Sequence, residues 1–154
     1  MLIGDELFAG WPENIPLDDT HAEELNAVKT ALELYAIHQQ SRRDPVAQAY
    51  ADEPWKRMTF GRACRHVDDG SGSNGVWRRL SAIETAPDFE GTVRGMRSLI
   101  MLMRNAGGRL IQLDYRSLTY DLYQLQFTER RSDVLQRWSR DYHSGIHKEN
   151  NEDK

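Results

Sequence analysis

The chain has 154 residues, 39% of them hydrophobic, which suits one domain or two small helical lobes. No window approaches 18 uncharged apolar residues, and Met1-Leu2-Ile3-Gly4-Asp5-Glu6 has no basic stretch leading into an apolar one. Neither a membrane span nor a secretory leader is therefore predicted. The lone Cys64 excludes an intramolecular disulfide, and the combined expectation is a soluble, cytoplasmic protein without a metal or other cofactor.

The formal charge of −4 argues on its face against nucleic-acid binding, but its distribution does not. Residues 1–28 carry seven acidic groups and no Lys or Arg, whereas residues 29–143 carry 18 basic and 14 acidic groups. A mildly basic middle thus lies between acidic ends. Sixteen of the twenty basic residues are Arg, whose rigid planar fork matches phosphate oxygens and also makes strong ion pairs between proteins.

Residues 1–18, with Gly4, Gly10, Pro12 and Pro16 around Leu7, Phe8 and Trp11, read as an irregular acidic arm. A helix is predicted from Thr20 to Gln40, opened by a Thr20/Glu23 capping box and carrying an apolar stripe of Leu25, Val28, Leu32, Tyr35 and Gln39. It stops before Pro45, and one helical turn is expected around Val46–Tyr50. A short helix over Thr59–Val67 turns Phe60, Ala63, Cys64 and Val67 inward and ends in the Gly/Ser-rich stretch 68–75. That stretch divides an N-terminal helical lobe (residues 19–69) from a C-terminal bundle (75–143).

Asn74 is placed to cap the next helix, Gly75–Thr85, with Val76, Leu80 and Ile83 on one side. Pro87 and Asp88 open a longer helix to Asn105 that buries Phe89, Val93, Met96, Leu99, Ile100 and Met103. Gly91 and Gly95 leave room on it for another backbone, and Gly107-Gly108 end it. Asp114 caps a helix with Leu118, Leu122 and Leu125 inward. A last helix over Arg130–Tyr142 buries Val134, Leu135, Trp138 and Tyr142, and the polar residues 144–154 are expected to be disordered. No alternation persists long enough for a sheet. The fold class expected is an all-α small helical bundle with two packed lobes.

Catalytic chemistry is not visible. Cys64-x-His66 has no second ligand pair for zinc, and His38 at the end of an apolar stripe reads as a partly buried, hydrogen-bonded residue rather than a general base. Asp68-Asp69-Gly70-Ser71 lacks the spacing of a calcium or phosphate loop and reads as a solvated turn. Arginine placement says more. Arg62 and Arg65 lie three apart on the outer side of one helix, and Arg78 and Arg79 oppose the apolar side of the next. Arg97, with Arg94 and Arg104, lies on the polar side of the long helix, and Arg130-Arg131 open the last. Guanidinium groups on several helices, without an aromatic pattern, suit phosphate tracking better than base reading.

Several segments carry a family resemblance. They are Leu34-Tyr35-Ala36-Ile37-His38-Gln39-Gln40-Ser41, Phe60-Gly61-Arg62-Ala63, Trp77-Arg78-Arg79-Leu80, Leu113-Asp114-Tyr115 with Asp121-Leu122 and Phe127, and Val134–Tyr142. Over residues 20–143 the chain resembles the CasB family, the small subunit of the type I-E CRISPR surveillance complex Cascade. The resemblance implies a non-catalytic, all-helical protein, paired with a second copy of itself among other Cascade subunits and lying beside guide RNA and target DNA. It implies stabilisation of the opened target (the R-loop) through sugar–phosphate contacts, with base pairing to the guide reading the sequence. The family's basic surface would correspond to Arg62, Arg78, Arg97 and Arg130, with Arg65, Arg79 and Arg131 as neighbours. Family members carry more helical sequence before the region matching Thr20, so an incomplete or reduced N-terminal lobe is expected here. Two other classes compete: a scaffold whose arginines pair only with partner carboxylates, and a standalone helical DNA-binding regulator.

Overall fold

The computed structural model describes residues 21–152, with side chains through Ser144. The acidic arm and Thr20 lie outside the described residues. Six α-helices follow in chain order: α1 (Ala22–Gln39), α2 (Phe60–Val67), α3 (Val76–Ala82), α4 (Phe89–Arg104), α5 (Tyr115–Gln124) and α6 (Thr128–Glu152). One-turn 3-10 helices stand at Pro54–Lys56 and Ile83–Thr85. The architecture is a small all-α bundle in two packed lobes, and a single buried cluster draws side chains from every helix.

The caps explain where three helices begin. The Thr59 hydroxyl accepts from the Arg62 amide at 3.3 Å, Asp88 from the Gly91 amide at 2.7 Å, and Asp114 from the Ser117 amide at 3.0 Å. Each satisfies an amide that the first helical turn leaves open. Asn74 does not cap α3, contrary to expectation. Its side-chain amide donates to the Val67 carbonyl at 2.9 Å, closing the 68–75 loop, and Gly75 occupies the cap in the left-handed region at φ 64°.

The buried face of α1 differs from the predicted stripe. Ala27, Thr30, Ala31, Leu34 and His38 are buried, while Leu32 is exposed and Leu25, Val28 and Tyr35 are half-buried. The face that wins carries small residues, so α1 can approach α4 and α5, its principal neighbours. Residues 46–50 are not helical either. The Leu113 amide donates to the Val46 carbonyl and the Gln48 amide to the Leu113 carbonyl, both at 2.9 Å, forming an isolated parallel bridge. Two backbone bonds to a distant segment outcompete one local turn. The last helix runs from Thr128 to Glu152 rather than ending near Tyr142.

The tightest packing joins α2 to α6. Gly61 lies against the Trp138 carbonyl, and a Cβ there would sit 2.9 Å from the Asp141 Cβ and closer still to that carbonyl oxygen. Beside it the Phe60 and Trp138 rings pack with centroids 4.5 Å apart. Trp138 donates its indole N–H to Asp121 Oδ2 at 2.8 Å, and Arg137 pairs with Oδ1 of the same carboxylate at 2.8 Å. Burial nevertheless raises the pKa of Asp121, because desolvation outweighs the two donors. Gly95 admits the Ile83 side chain, not a second backbone as expected, with the added Cβ 2.6 Å from Ile83 Cγ1.

His38 is fully buried and its Nδ1 lies 2.9 Å from the Tyr115 hydroxyl, as a structural, hydrogen-bonded histidine should. Burial, opposed by the Ile111 carbonyl and aided by Arg42, lowers its pKa to about 4.

Replacing Gly61 by Ala should destabilise the protein by about 2–3 kcal/mol, because the clash is with backbone that cannot rotate away. Chemical denaturation would read it directly. A histidine with a depressed folded pKa stabilises the fold above its unfolded pKa of about 6.5 and loses that contribution as pH falls towards the folded value. The wild type should therefore lose on the order of 2 kcal/mol between pH 7 and pH 4.5 relative to His38→Gln, measured by denaturation across that range.

Candidate nucleic-acid interface

The seven arginines singled out from the sequence divide by what their guanidinium groups already do. Arg62, half-buried on α2, donates to the Pro54 carbonyl at 3.1 Å and the Arg57 carbonyl at 2.8 Å, holding the 3-10 turn against the helix. Arg79 on α3 donates to Ser98 Oγ of α4 at 3.1 Å and to the Asn74 carbonyl. Arg131 on α6 reaches the end of the second 3-10 turn. It donates to the Ile83 carbonyl at 2.6 Å, Glu84 at 3.2 Å and Ala86 at 3.3 Å, and to Thr92 Oγ1 at 3.2 Å. Ile83 already accepts from the Ala86 amide at 3.1 Å, so the cation adds a second donor at the end of this turn and staples it to α6.

Arg65 lies over the Tyr142 ring, 5.9 Å from its centroid. Tyr142 also donates to Asp68, and burial first, then that carboxylate, pushes its pKa up to about 12. Trp77 stacks on the same tyrosine at 5.2 Å. The 68–75 loop is thereby fastened to α6 and is internally organised. Asp69 accepts from the Ser71 amide at 3.0 Å and hydroxyl at 2.5 Å, which hold its carboxyl below the usual range.

Arg78, Arg97 and Arg130 differ from these. All three are exposed, and among the described residues none makes a side-chain hydrogen bond or ion pair; Arg130 alone covers a ring, that of Phe127 at 4.7 Å. They stand on α3, α4 and α6. Arg79 and Ser98 bridge the first two of these helices, which places Arg78 and Arg97 one residue from either end of that bridge.

A further cluster was not visible in the sequence because it joins three distant segments. Tyr50, Arg57, Arg116, Tyr120, Asp121, Gln124, Asp133 and Arg137 line an open groove of about 530 Å³ between the 45–58 segment, α5 and α6. Arg116 lies over the Tyr50 ring at 4.2 Å and Arg57 at 5.3 Å. The only advance sign was the Arg116–Tyr120–Gln124 spacing of four along α5.

Metal and thiol chemistry find no support in the geometry. Cys64 is fully buried, and burial, then Asp68, pushes its thiol pKa up, while His66 of the same helix is exposed. Among the described residues no three His, Cys, Asp or Glu converge as metal ligands, and no helix is long and apolar enough to cross a membrane.

Residues 4–143 match the family model of CRISPR-associated protein Cse2. The chain belongs to the Cse2 (CasB) family of CRISPR Cascade small subunits. Its fold is also that of a solved relative, the crystal structure of CasB from Thermobifida fusca. The two are 28% identical with a TM-score of 0.69, over 92% of this chain and 77% of that one. No curated protein sequence matches the chain significantly. Members of the Cse2 family are non-catalytic structural subunits, and this chain is accordingly not an enzyme.

The division among arginines has a direct consequence. Arg131→Ala and Arg79→Ala should each cost about 1–2 kcal/mol of stability, since they strip donors from part-buried carbonyls. Arg78→Ala and Arg97→Ala should stay within about 0.5 kcal/mol of wild type. Thermal unfolding of the four variants distinguishes the two groups.

Proposed function

We propose that this Cse2-family subunit acts in the cytoplasm within a type I-E surveillance complex and stabilises the opened target DNA by arginine–phosphate contacts without sequence preference. Its partners in this reading are the other Cascade subunits, a second copy of itself, the target DNA and the guide RNA. The supporting observation is the exposure of Arg78, Arg97 and Arg130 with no side-chain hydrogen bond or ion pair among the described residues. A guanidinium without a protein carboxylate is free to replace counterions on a phosphate backbone, and release of those ions drives association. Arg62, Arg65, Arg79 and Arg131 belong to the same surface in this proposal. Arg79 ties α3 to α4 and Arg131 ties α6 to α4 and the second 3-10 turn, the helices that present the three free cations, while Arg62 steadies α2; all lend positive potential at short range.

Opening a duplex against a guide RNA is close to balanced, because the heteroduplex formed is about as stable as the duplex lost. A few phosphate contacts are then enough to bias the exchange. A scaffold reading has one observation in its favour: Trp55 is 71% exposed, a large apolar surface suited to a protein neighbour. The two readings are compatible, since an assembly subunit needs both kinds of surface.

An assembled complex carrying Arg78→Ala, Arg97→Ala and Arg130→Ala together should bind target DNA roughly tenfold or more weakly, by a similar factor for unrelated target sequences. The slope of log affinity against log salt should fall by about 2–3. Wild-type affinity from an intact complex containing the triple variant would refute the proposal.

A further inference from the structure

Beyond the phosphate-contacting arginines, the groove between the 45–58 segment, α5 and α6 carries features that backbone tracking does not require. Two large aromatic side chains line it and face solvent, Tyr50 at 53% and Tyr120 at 66% exposure. Exposed aromatics of this size are the informative exception on a protein surface. Tyr50 is also held: Arg116 and Arg57 both lie over its ring, and Arg57 donates to the Tyr50 hydroxyl at 3.3 Å, to the Ala51 carbonyl at 3.0 Å and to the Asp52 carbonyl at 3.2 Å. The ring is therefore oriented before any ligand arrives, which reduces the entropy lost on stacking.

The second wall is regular. Arg116, Tyr120 and Gln124 recur every four residues on α5, so a cation, a ring and an amide follow one another along a single helical stripe. The acidic groups in the groove do not cancel this character. Asp121 is spent on Arg137 and the Trp138 indole, which leaves Asp133 as the other carboxylate in the lining, against Arg57 and Arg116 as cations. The exposed Arg116 makes no hydrogen bond or ion pair among the described residues, and its contact is with the Tyr50 ring.

We propose that this groove is a base-stacking site for an unpaired nucleic-acid strand. Nucleobases stack on the exposed Tyr120 ring and on the part of the Tyr50 ring that stays exposed beside Arg116 and Arg57. The Arg116 guanidinium meets the neighbouring phosphate from its place on Tyr50, and Gln124 offers hydrogen bonds to base edges. Aromatic rings beside cations in an open groove are the combination by which proteins hold single strands with little sequence preference, because every base has a face to stack. The site rests on the nucleic-acid reading above but differs from it in kind. Free arginines on α3, α4 and α6 respond to phosphate whether or not bases are present, whereas this groove discriminates a base-bearing strand from a bare backbone.

The test compares two single-stranded probes of equal length and charge, one oligothymidylate and one with abasic residues at most positions. Binding to the purified full chain is followed by fluorescence anisotropy at low salt. The wild type should bind the base-bearing probe roughly tenfold more tightly than the abasic one. Tyr50→Leu with Tyr120→Leu should remove that preference and leave abasic binding unchanged, and the corresponding Tyr→Phe pair should keep it. The Arg78→Ala, Arg97→Ala, Arg130→Ala variant should weaken both probes equally and retain the preference.

Equal wild-type binding of the two probes, binding of neither, or a preference that survives the leucine pair would each overturn the stacking site. A leucine pair that binds both probes normally but fails to enter the assembled complex would overturn it too, assigning the groove to a protein neighbour. Loss of the preference in the leucine pair with no effect of the arginine variant would uphold the groove and instead count against the phosphate-tracking role.

Discussion

The contact on which the rest of the molecule depends is the close crossing of α2 over α6. Gly61 meets the backbone of Trp138 with no side chain between them, and Phe60 packs on the indole ring beside that contact. Trp138 is fully buried and extends from there to Asp121, so one side chain connects α2, α5 and α6. Burying an indole is favourable mainly through its apolar area, but its N–H must then find an acceptor. Asp121 supplies it at the cost of an uncomfortable carboxylate, and Arg137 offsets part of that cost. The groove beside α5 inherits its geometry from this arrangement, because Asp121 and Arg137 form part of its wall.

A second constraint concerns cations. An arginine can complete the fold or present charge to a partner, and the same guanidinium does not do both fully. Arg131 and Arg79 are engaged by carbonyls near Ile83 and Asn74, and Arg62 by the turn at Pro54. These contacts fix α3 and the 3-10 turns, short elements with too few internal hydrogen bonds to stand alone. Arg78 is carried on α3, and Arg97 and Arg130 on α4 and α6, the helices that Arg79 and Arg131 tie to these short elements. A small protein with a modest core thereby fixes its short elements through side-chain cations rather than through a large interior.

Buried polar groups serve the same economy. His38 and Tyr115 bond to each other where α1 meets α5, and burial disfavours the charged form of each, lowering the histidine pKa and raising that of the tyrosine. Tyr142 and Asp68 tie the loop at 68–75 to the last helix, and Trp77 stacks against that tie. The Gly/Ser-rich stretch that divides the chain by composition is thus a fastened connection, held by side chains from both sides.

By itself the sequence determined the all-helical class and the family. It also determined the inner faces of α2, α4 and α6 and the caps at Asp88 and Asp114, because apolar spacing and capping chemistry are local properties of the chain. Tertiary structure decided which side of α1 is buried: its apolar residues spread over more than one face, and the approach of α4 and α5 selects the side bearing Ala27, Ala31 and Leu34. It decided that residues 46–48 extend, since their partner Leu113 is far along the chain. It decided, too, which arginines are free, because the carbonyls that engage Arg131 belong to residues more than forty positions earlier. The tyrosine–arginine groove belongs to the same class. Tyr50, Tyr120 and Arg137 have no relation in sequence spacing, and only the packing of their three segments makes them one surface.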